Sequence, residues 1–400
     1  MTTVIVGTRG TSGWPEFGGS TWVRLHYMLG LRKLGIDAFW VDRLGKVDPL
    51  KHHHTLEYLT RRFARTMADF GLSDRYCVVY NRGERYLGMT EQQLRDLVDR
   101  SDLLINISGH LPPDDPLMGV RRRAYVDVDP GFTQIWASHC DMGLDRHHVF
   151  FTVGQNVGTP HFRIPTGGVK WRAIVPPVFL DEWPCRSDPQ CQRWSTVADW
   201  RGSQEAMFDE EYYGGKRKEF LRLLRLPRDS RQPIELALCI GSEDSEDAAL
   251  LVGNNWVLFD PYLYAGDPFS YREFIQHSRA EFSVAKGGYV KSNSGWVSDR
   301  TASYLASGKP ALVQSTGFEP HIPTGKGLLT FRTGDEAMAG LGEISRNYAE
   351  HCEAARRLAE THFDSSVILS DLLSHAGVTQ ARQAQVVRGA SGALAVGSVT

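Results

Sequence analysis

Between Lys286 and Val313 the chain reads K-G-G-Y-V-K-S-N-S-G-W-V-S-D-R-T-A-S-Y-L-A-S-G-K-P-A-L-V, a glycine-rich turn followed by a short amphipathic helix and a buried strand. Gly287, Gly288 and Gly295 permit backbone angles closed to other residues, Ser294 or Ser298 can cap the helix, and the helix start offers unpaired N–H groups to an anion. That arrangement suits phosphate. It lies in the last third of a 400-residue chain, whereas a dinucleotide-binding G-x-G-x-x-G opens its domain. The phosphate site is therefore expected on a second domain.

The rest of the chain alternates short apolar strands with amphipathic helices. A strand at Val4–Val6, a glycine-rich loop to Gly19, a helix over Trp22–Leu34 stopped by Gly35 and a strand at Ala38–Asp42 form a β-loop-α-β unit, hence a parallel sheet. The same patterning predicts strands at Tyr76–Tyr80, Leu103–Ile107, Ala124–Val128 and His148–Val153, with helices at His54–Phe70 and Thr90–Arg100. From Pro160 to Trp200 periodicity gives way to Pro165, Pro176, Pro177, Pro184 and Pro189, as in a semi-rigid connection. Beyond it come strands at Ile234–Ile240, Trp256–Phe259, Ala280–Val284 and Ala311–Gln314, with helices at Lys216–Leu224, Ser270–Ser278, Ser298–Ala306, Asp335–Ala359 and Ser365–Leu373. The expected fold class is α/β, with one doubly wound domain over 1–180 facing a second over 181–377 across a cleft. Residues 378–400 lack periodicity and read as a disordered tail.

Lys and Arg number 45 against 47 Asp and Glu, so the long-range field that draws proteins to nucleic acid or anionic membranes is missing. A small-molecule donor and acceptor, and no nucleic acid, are the expected partners; oligomeric state is left open. The first residues enter a strand without a basic leader, and no run of about 18 apolar residues follows, which predicts a cytoplasmic protein without integral membrane association. Cys77, Cys140, Cys185, Cys191, Cys239 and Cys352 lack C-x-x-C spacing and read as free thiols. His52-His53-His54 cannot all face one ion from a regular element, so this run reads as a solvated loop and no metal site is expected.

Open α/β sheets bind ligands beyond the carboxyl ends of their strands, which directs attention to the loops after Val6, Ile107, Val128, Ile240, Val284 and Gln314. The first, Gly7–Gly13 with Gly18, Gly19 and Ser20, admits close backbone approach to a ligand or is merely a flexible turn. Asn106, Ser108, Gly109 and His110 place donors and a titratable imidazole where an acceptor hydroxyl could sit, although His110 is equally a surface histidine. Asp127 and Asp129 end a buried strand, and one of them could act as general base or orient a sugar, while Asp129 before Pro130 also forms turns. Lys286, Lys291 and Arg300 suit a diphosphate, and Thr316 after the Val313 strand adds a donor. A helix start alone contributes about 0.3–2 kcal/mol toward an anion, whereas millimolar affinity needs about 4 kcal/mol, so charged side chains must join it. Asp299 would repel phosphate if it faced the same way, and otherwise stabilises the helix start. Gly154–Gly158 is a weaker loop signal, His26 reads as packed or simply exposed, and Arg121–Arg123 as a solvated face.

Two such halves, a Pro-rich connection carrying V-P-P-V-F-L-D-E-W at Val175–Trp183, the run from Gly295 through Gly317-Phe318 to Leu329, and A-S-G-K-P-A-L-V-Q at Ala306–Gln314 resemble the GT-B glycosyltransferases, in particular a bacterial family-1-type group. The resemblance implies a nucleotide-diphosphate sugar as co-substrate on the C-terminal domain, no other cofactor, an acceptor on the N-terminal domain, and neutralisation of the leaving diphosphate by helix dipole and basic side chains in place of a metal. Carried onto this chain, Lys286, Lys291, Ser294, Gly295, Ser298, Arg300 and Thr316, with Gly18 and Gly19, would hold the donor. Asp127, Asp129 or His110 would deprotonate or position a hydroxyl on a natural product or carbohydrate. One departure is clear: the two glutamates of the E-G-F-G…E-A-M-A pattern fall on Gly295 and Ser303. Rival readings are a sugar-nucleotide epimerase on the same scaffold and a non-catalytic nucleotide-binding subunit. A nicotinamide dehydrogenase fits poorly, because the opening glycines do not follow G-x-G-x-x-G.

Overall fold

A computed structural model of the protein describes residues 1–378 except 15, 49–53, 187, 189 and 203. His52, His53, Pro189 and the tail beyond Val378 thus lie outside the described residues, while His54 pairs with Glu16. The first sheet contains β1 (Thr3–Arg9), β2 (Asp37–Leu44), β3 (Tyr76–Tyr80), β4 (Arg85–Leu87), β5 (Leu103–Ile107), β6 (Arg123–Asp127), β7 (Val149–Thr152) and β8 (Trp171–Ala173). Its order is β4-β3-β2-β1-β5-β6-β7-β8, parallel except for the β3–β4 edge. Val4 and Val6 pair with Ala38 and Trp40 on one side and with Leu103 and Ile105 on the other, so β1 is buried on both faces, as its unbroken apolar run requires. Strand order reverses between β1 and β5, which opens a crevice beyond their carboxyl ends.

The second sheet is built from β9 (Trp194–Asp199), β12 (Ile234–Cys239), β13 (Trp256–Phe259), β14 (Ala280–Ser283), β15 (Ala311–Gln314) and β16 (Leu328–Phe331), with a separate hairpin of β10 (Ala206–Phe208) and β11 (Glu211–Tyr213). Its order, β13-β12-β9-β14-β15-β16, is wholly parallel and reverses between β9 and β14. The central strand β9 lies inside the stretch that reads as a connection, because its polar residues hide it. Ser195 is fully buried, and its hydroxyl meets Ser278 Oγ at 2.5 Å and Tyr304 Oη at 2.7 Å, so side-chain partners replace the apolar signature of a core strand.

The two sheets are locked together closely. Helix Gly18–Lys33 meets the second domain at its start: Gly18 N donates to Ala265 O at 3.3 Å and Trp22 Nε1 to Pro268 O at 2.7 Å. A Cβ on Gly18 would sit 2.4 Å from Asp267 O, so only glycine permits this approach. The chain then returns to the first domain at its end, where helix Ser365–His375 packs Ser365 and Leu369 against Gly30. His26 accepts from Phe179 N at 3.0 Å within this seam, and burial pushes its pKa down to about 3, which makes it a neutral packing residue. All six cysteines are unpaired.

Candidate functional site

The crevices of the two sheets open onto one interdomain cleft. A cavity of about 270 Å³ is lined by Arg24, Asp129, Lys216, Lys286, Tyr289 and the helix start Ser298–Arg300. It adjoins a second of about 360 Å³, which shares Arg24, Lys216, Lys286 and Ser298–Arg300 and adds Gly18, Gly19, Asp199, Cys239 and Tyr262.

The floor of the first domain is set by carboxylates with different roles. Asp127 is fully buried at the end of β6, where it accepts from Thr133 Oγ1 and Thr152 Oγ1 at 2.7 Å, Gln134 Nε2 at 3.0 Å and the Asp129 amide at 3.0 Å. Burial pushes its pKa up while these bonds oppose the rise. It holds the strand-to-helix turn and lines neither cavity, unlike the position expected of a base for substrate. Asp129, two residues on, reaches the cavity. Its Oδ1 accepts from Lys286 Nζ at 2.8 Å and from the Tyr289 hydroxyl at 2.5 Å. Burial alone would raise its pKa, but Lys286 and Tyr289 outweigh that and hold it below the usual carboxylate range. His110 lies exposed beyond β5 and lines neither cavity, although its imidazole responds to Asp129, Arg24 and Arg9 after the dominant effect of desolvation, with a net lowering.

The glycine-rich turn has a different use from the one its composition suggests. The amides of Gly287 and Gly288 donate to Gly215 O and Gly214 O at 3.0 Å, and Gly295 N donates to Thr316 O at 2.8 Å. Gly295, at φ 70°, packs against Gln155 and Asn156, where a Cβ would sit 2.8 Å from Asn156 N. Ser294 is buried and gives its hydroxyl to Tyr289 O, while Thr316 Oγ1 bonds Trp296 O at 2.6 Å. Ser294 and Gly295 therefore dock the second domain onto the Gly154–Gly158 loop, with Thr316 bracing them, and none of the three lines either cavity. Lys291 is directed elsewhere, pairing with Glu211 at 3.2 Å beside a separate cavity. Arg300 borders the cleft, but its guanidinium is committed to Glu281 at 2.7 Å, Ser283 Oγ at 2.5 Å and Val197 O at 2.8 Å. Ser298 lines both cavities and caps its own helix by accepting from Arg300 N at 3.2 Å. Asp299 beside it is made less acidic by burial, against the pull of Arg300.

Two cations absent from the sequence reading complete the cleft. Arg24 faces both cavities from helix Gly18–Lys33, whose start has no side-chain cap and no acidic residue in its first turn. Its Nη1 reaches Ser20 at 2.9 Å, and among the described residues its buried Nε has no partner. Lys216 is 7 % exposed and lines both cavities, and among the described residues its ammonium makes no hydrogen bond or ion pair. Faint signals existed for both: a lone arginine in the apolar run after a glycine-rich loop, and a Gly-Gly-Lys at the start of a predicted helix. The first-domain loop, by contrast, is pinned by Asp42 at the end of β2, which accepts from Thr8 Oγ1 at 2.5 Å and from Ser12 N and Oγ at 2.8 and 2.6 Å.

Desolvation first, and then Arg300 and Lys286, push the Lys216 pKa well below the usual lysine value, against Glu281 and Asp199. An anion entering beside it favours the charged form. Binding of a diphosphate should therefore take up a proton, and affinity should fall as pH rises through the interval between the depressed free-state pKa and the higher one in the complex. Calorimetry of inorganic pyrophosphate in buffers of different ionisation enthalpy reads this uptake. Binding with the same apparent enthalpy in every buffer would show that the anion does not change the charge on Lys216.

No family model and no curated protein matches the sequence. Solved structures match over nearly the whole chain. An α-glucosyltransferase in complex with UDP and a 13-mer DNA containing an A:G mismatch aligns with a TM-score of 0.61 at 12 % identity, covering 94 % of this chain and 100 % of that one. The Anabaena protein Alr3699/HepE in complex with UDP and glucose gives 0.57 at 11 % identity over 95 % and 100 %. A glycosyltransferase from Rickettsia africae ESF-5 gives 0.52 at 11 % identity over 94 % and 97 %. The fold is accordingly that of the GT-B glycosyltransferases, two Rossmann-like domains across a cleft. The expectation that excludes nucleic acid is overturned by the DNA held in the α-glucosyltransferase complexes. Contact with phosphates depends on local patches, so a net charge near zero is no argument against it. Among the described residues no helix is long and apolar enough to cross a membrane.

Proposed function

We propose that the protein is a metal-independent glycosyltransferase that moves a sugar from a nucleotide-diphosphate donor to an acceptor hydroxyl. The observation that carries this reading is the convergence of Lys216 and Lys286 from the second domain with Arg24 and Asp129 from the first on one interdomain cleft, beyond the carboxyl ends of both sheets. In this reading residues 181–377 bind the donor, and the lysines and the start of helix Gly18–Lys33 meet charge that grows on the departing diphosphate. Residues 1–180 present the acceptor, and Asp129 takes its proton. Structures of the same fold hold UDP or UDP-glucose, which makes uridine the first nucleoside to test. The unpaired cysteines suit a reducing compartment such as the cytoplasm.

A thermal-shift panel of uridine, thymidine, guanosine and adenosine diphosphates, followed by mass spectrometry with the best donor, tests the proposal. At a hundredfold excess over Kd, binding stabilises by about 2.7 kcal/mol and should raise the melting temperature by several degrees. The acceptor screen should include duplex DNA along with carbohydrates and natural-product hydroxyls. No shift with any diphosphate at millimolar concentration would remove the basis for a donor site here. Conversion of the donor with no acceptor present would favour an epimerase.

A further inference from the structure

Asp129 and Lys286 are claimed twice. Asp129 stands on the loop after β6 in the first domain and Lys286 on the loop after β14 in the second, so their 2.8 Å pair bridges the cleft and both line its cavity. Lys286 Nζ also reaches Gln204 Oε1 at 2.8 Å and the Tyr289 hydroxyl at 3.1 Å. The Tyr289 hydroxyl in turn donates to the carboxylate oxygen that Lys286 holds, while Asp129 Oδ2 accepts no hydrogen bond among the described residues. An acceptor hydroxyl needs Asp129 free of a neutralising ammonium, and a diphosphate needs that same ammonium. Both demands cannot be met by the pair as it stands.

We propose that Lys286 is a latch, paired with Asp129 in the free protein and transferred to the diphosphate when the donor binds, so that Asp129 becomes available to the acceptor only behind a bound donor. This rests on the reading of the cleft as a donor site. A diphosphate carries more negative charge than one carboxylate and so competes successfully for Nζ at similar range. Tyr289 and Gln204 surround Nζ with oxygen acceptors that remain in place, which lets the ammonium swing without being left bare. Once Lys286 leaves, Asp129 keeps its bond from Tyr289 and becomes more basic, as a proton acceptor should be. The donor is therefore the first substrate on.

The test is calorimetric titration of uridine diphosphate into the full-length protein and three variants. Asp129→Asn removes the competitor for Lys286 and should tighten binding about tenfold, equivalent to about 1.4 kcal/mol. Lys286→Met should weaken binding by about as much, and Asp129→Asn added to Lys286→Met should bring no further gain. Tyr289→Phe strips one of two donors from Asp129, so the carboxylate should grip Lys286 harder and binding should weaken by a smaller factor. A fixed tether between domains predicts the reverse sign for Asp129→Asn, because loosening the cleft loses contacts. Unchanged or weaker binding by Asp129→Asn would thus overturn the latch. If neither wild type nor Asp129→Asn binds uridine diphosphate, or any diphosphate of the panel above, the donor reading itself fails and takes the latch with it. Product inhibition supplies a second check: a random order of substrate addition would contradict it.

Discussion

Replacing Asp129 by Asn should lower kcat by about 10²–10⁴, the range associated with loss of a positioned general base, while the protein stays folded and still binds uridine diphosphate. Three candidates competed for this role. Asp127 is excluded by its surroundings, since both its oxygens are occupied by buried donors and neither faces the cleft. Asp127→Asn should therefore act on stability, because it places an amide N–H₂ against Thr133, Thr152 or Gln134 and leaves donors unmatched. His110 lines neither cavity. Of the three, Asp129 alone combines a place in the cavity with a carboxylate oxygen that accepts no hydrogen bond among the described residues. Its lowered pKa also fixes a sign: the acidic limb of kcat/KM, which reports the free enzyme, should lie below the ordinary carboxylate range. Steady-state kinetics on the best donor and acceptor from the panel measure both effects. Turnover within a few-fold of wild type for Asp129→Asn would transfer the role to His110.

Strand periodicity read the sheets well where the strands are apolar on both faces, as at Val4–Val6, Leu103–Ile107 and Ala311–Gln314. It failed at β9, whose buried Ser195 and Thr196 carry no apolar signal, and at the short edge strand β4 and the β10–β11 hairpin, which bury little. The site was harder to read for a related reason. A glycine pattern says that two pieces of backbone come close, and here Gly287 and Gly288 approach Gly214 and Gly215, not a phosphate. Hydroxyls at Ser294 and Thr316 likewise found backbone carbonyls of their own chain. The residues left facing the cleft, Lys216 and Arg24, are defined by having few partners, and the lack of a partner is a property of the folded surroundings that one sequence does not display.

At Arg300 the buried surroundings change the expected phenotype. As a diphosphate ligand it would be a substitution that spares the fold, but its guanidinium is buried against Glu281, a residue with no exposed surface on β14. Breaking such a pair from one side leaves an uncompensated charge in the core, at a cost of about 3–5 kcal/mol. Glu281→Gln should accordingly lower the midpoint of urea unfolding sharply with little change in slope. Replacing both partners with apolar residues, as in Glu281→Leu with Arg300→Met, removes the desolvated charges together and should recover most of that loss. The double variant then separates structure from binding. Its affinity for uridine diphosphate should stay within a few-fold of wild type if Lys216, Lys286 and Arg24 hold the anion. A stable double variant that no longer binds would return Arg300 to the donor site, and a Glu281→Gln protein within about 1 kcal/mol of wild type would show that the charge at Arg300 is satisfied elsewhere.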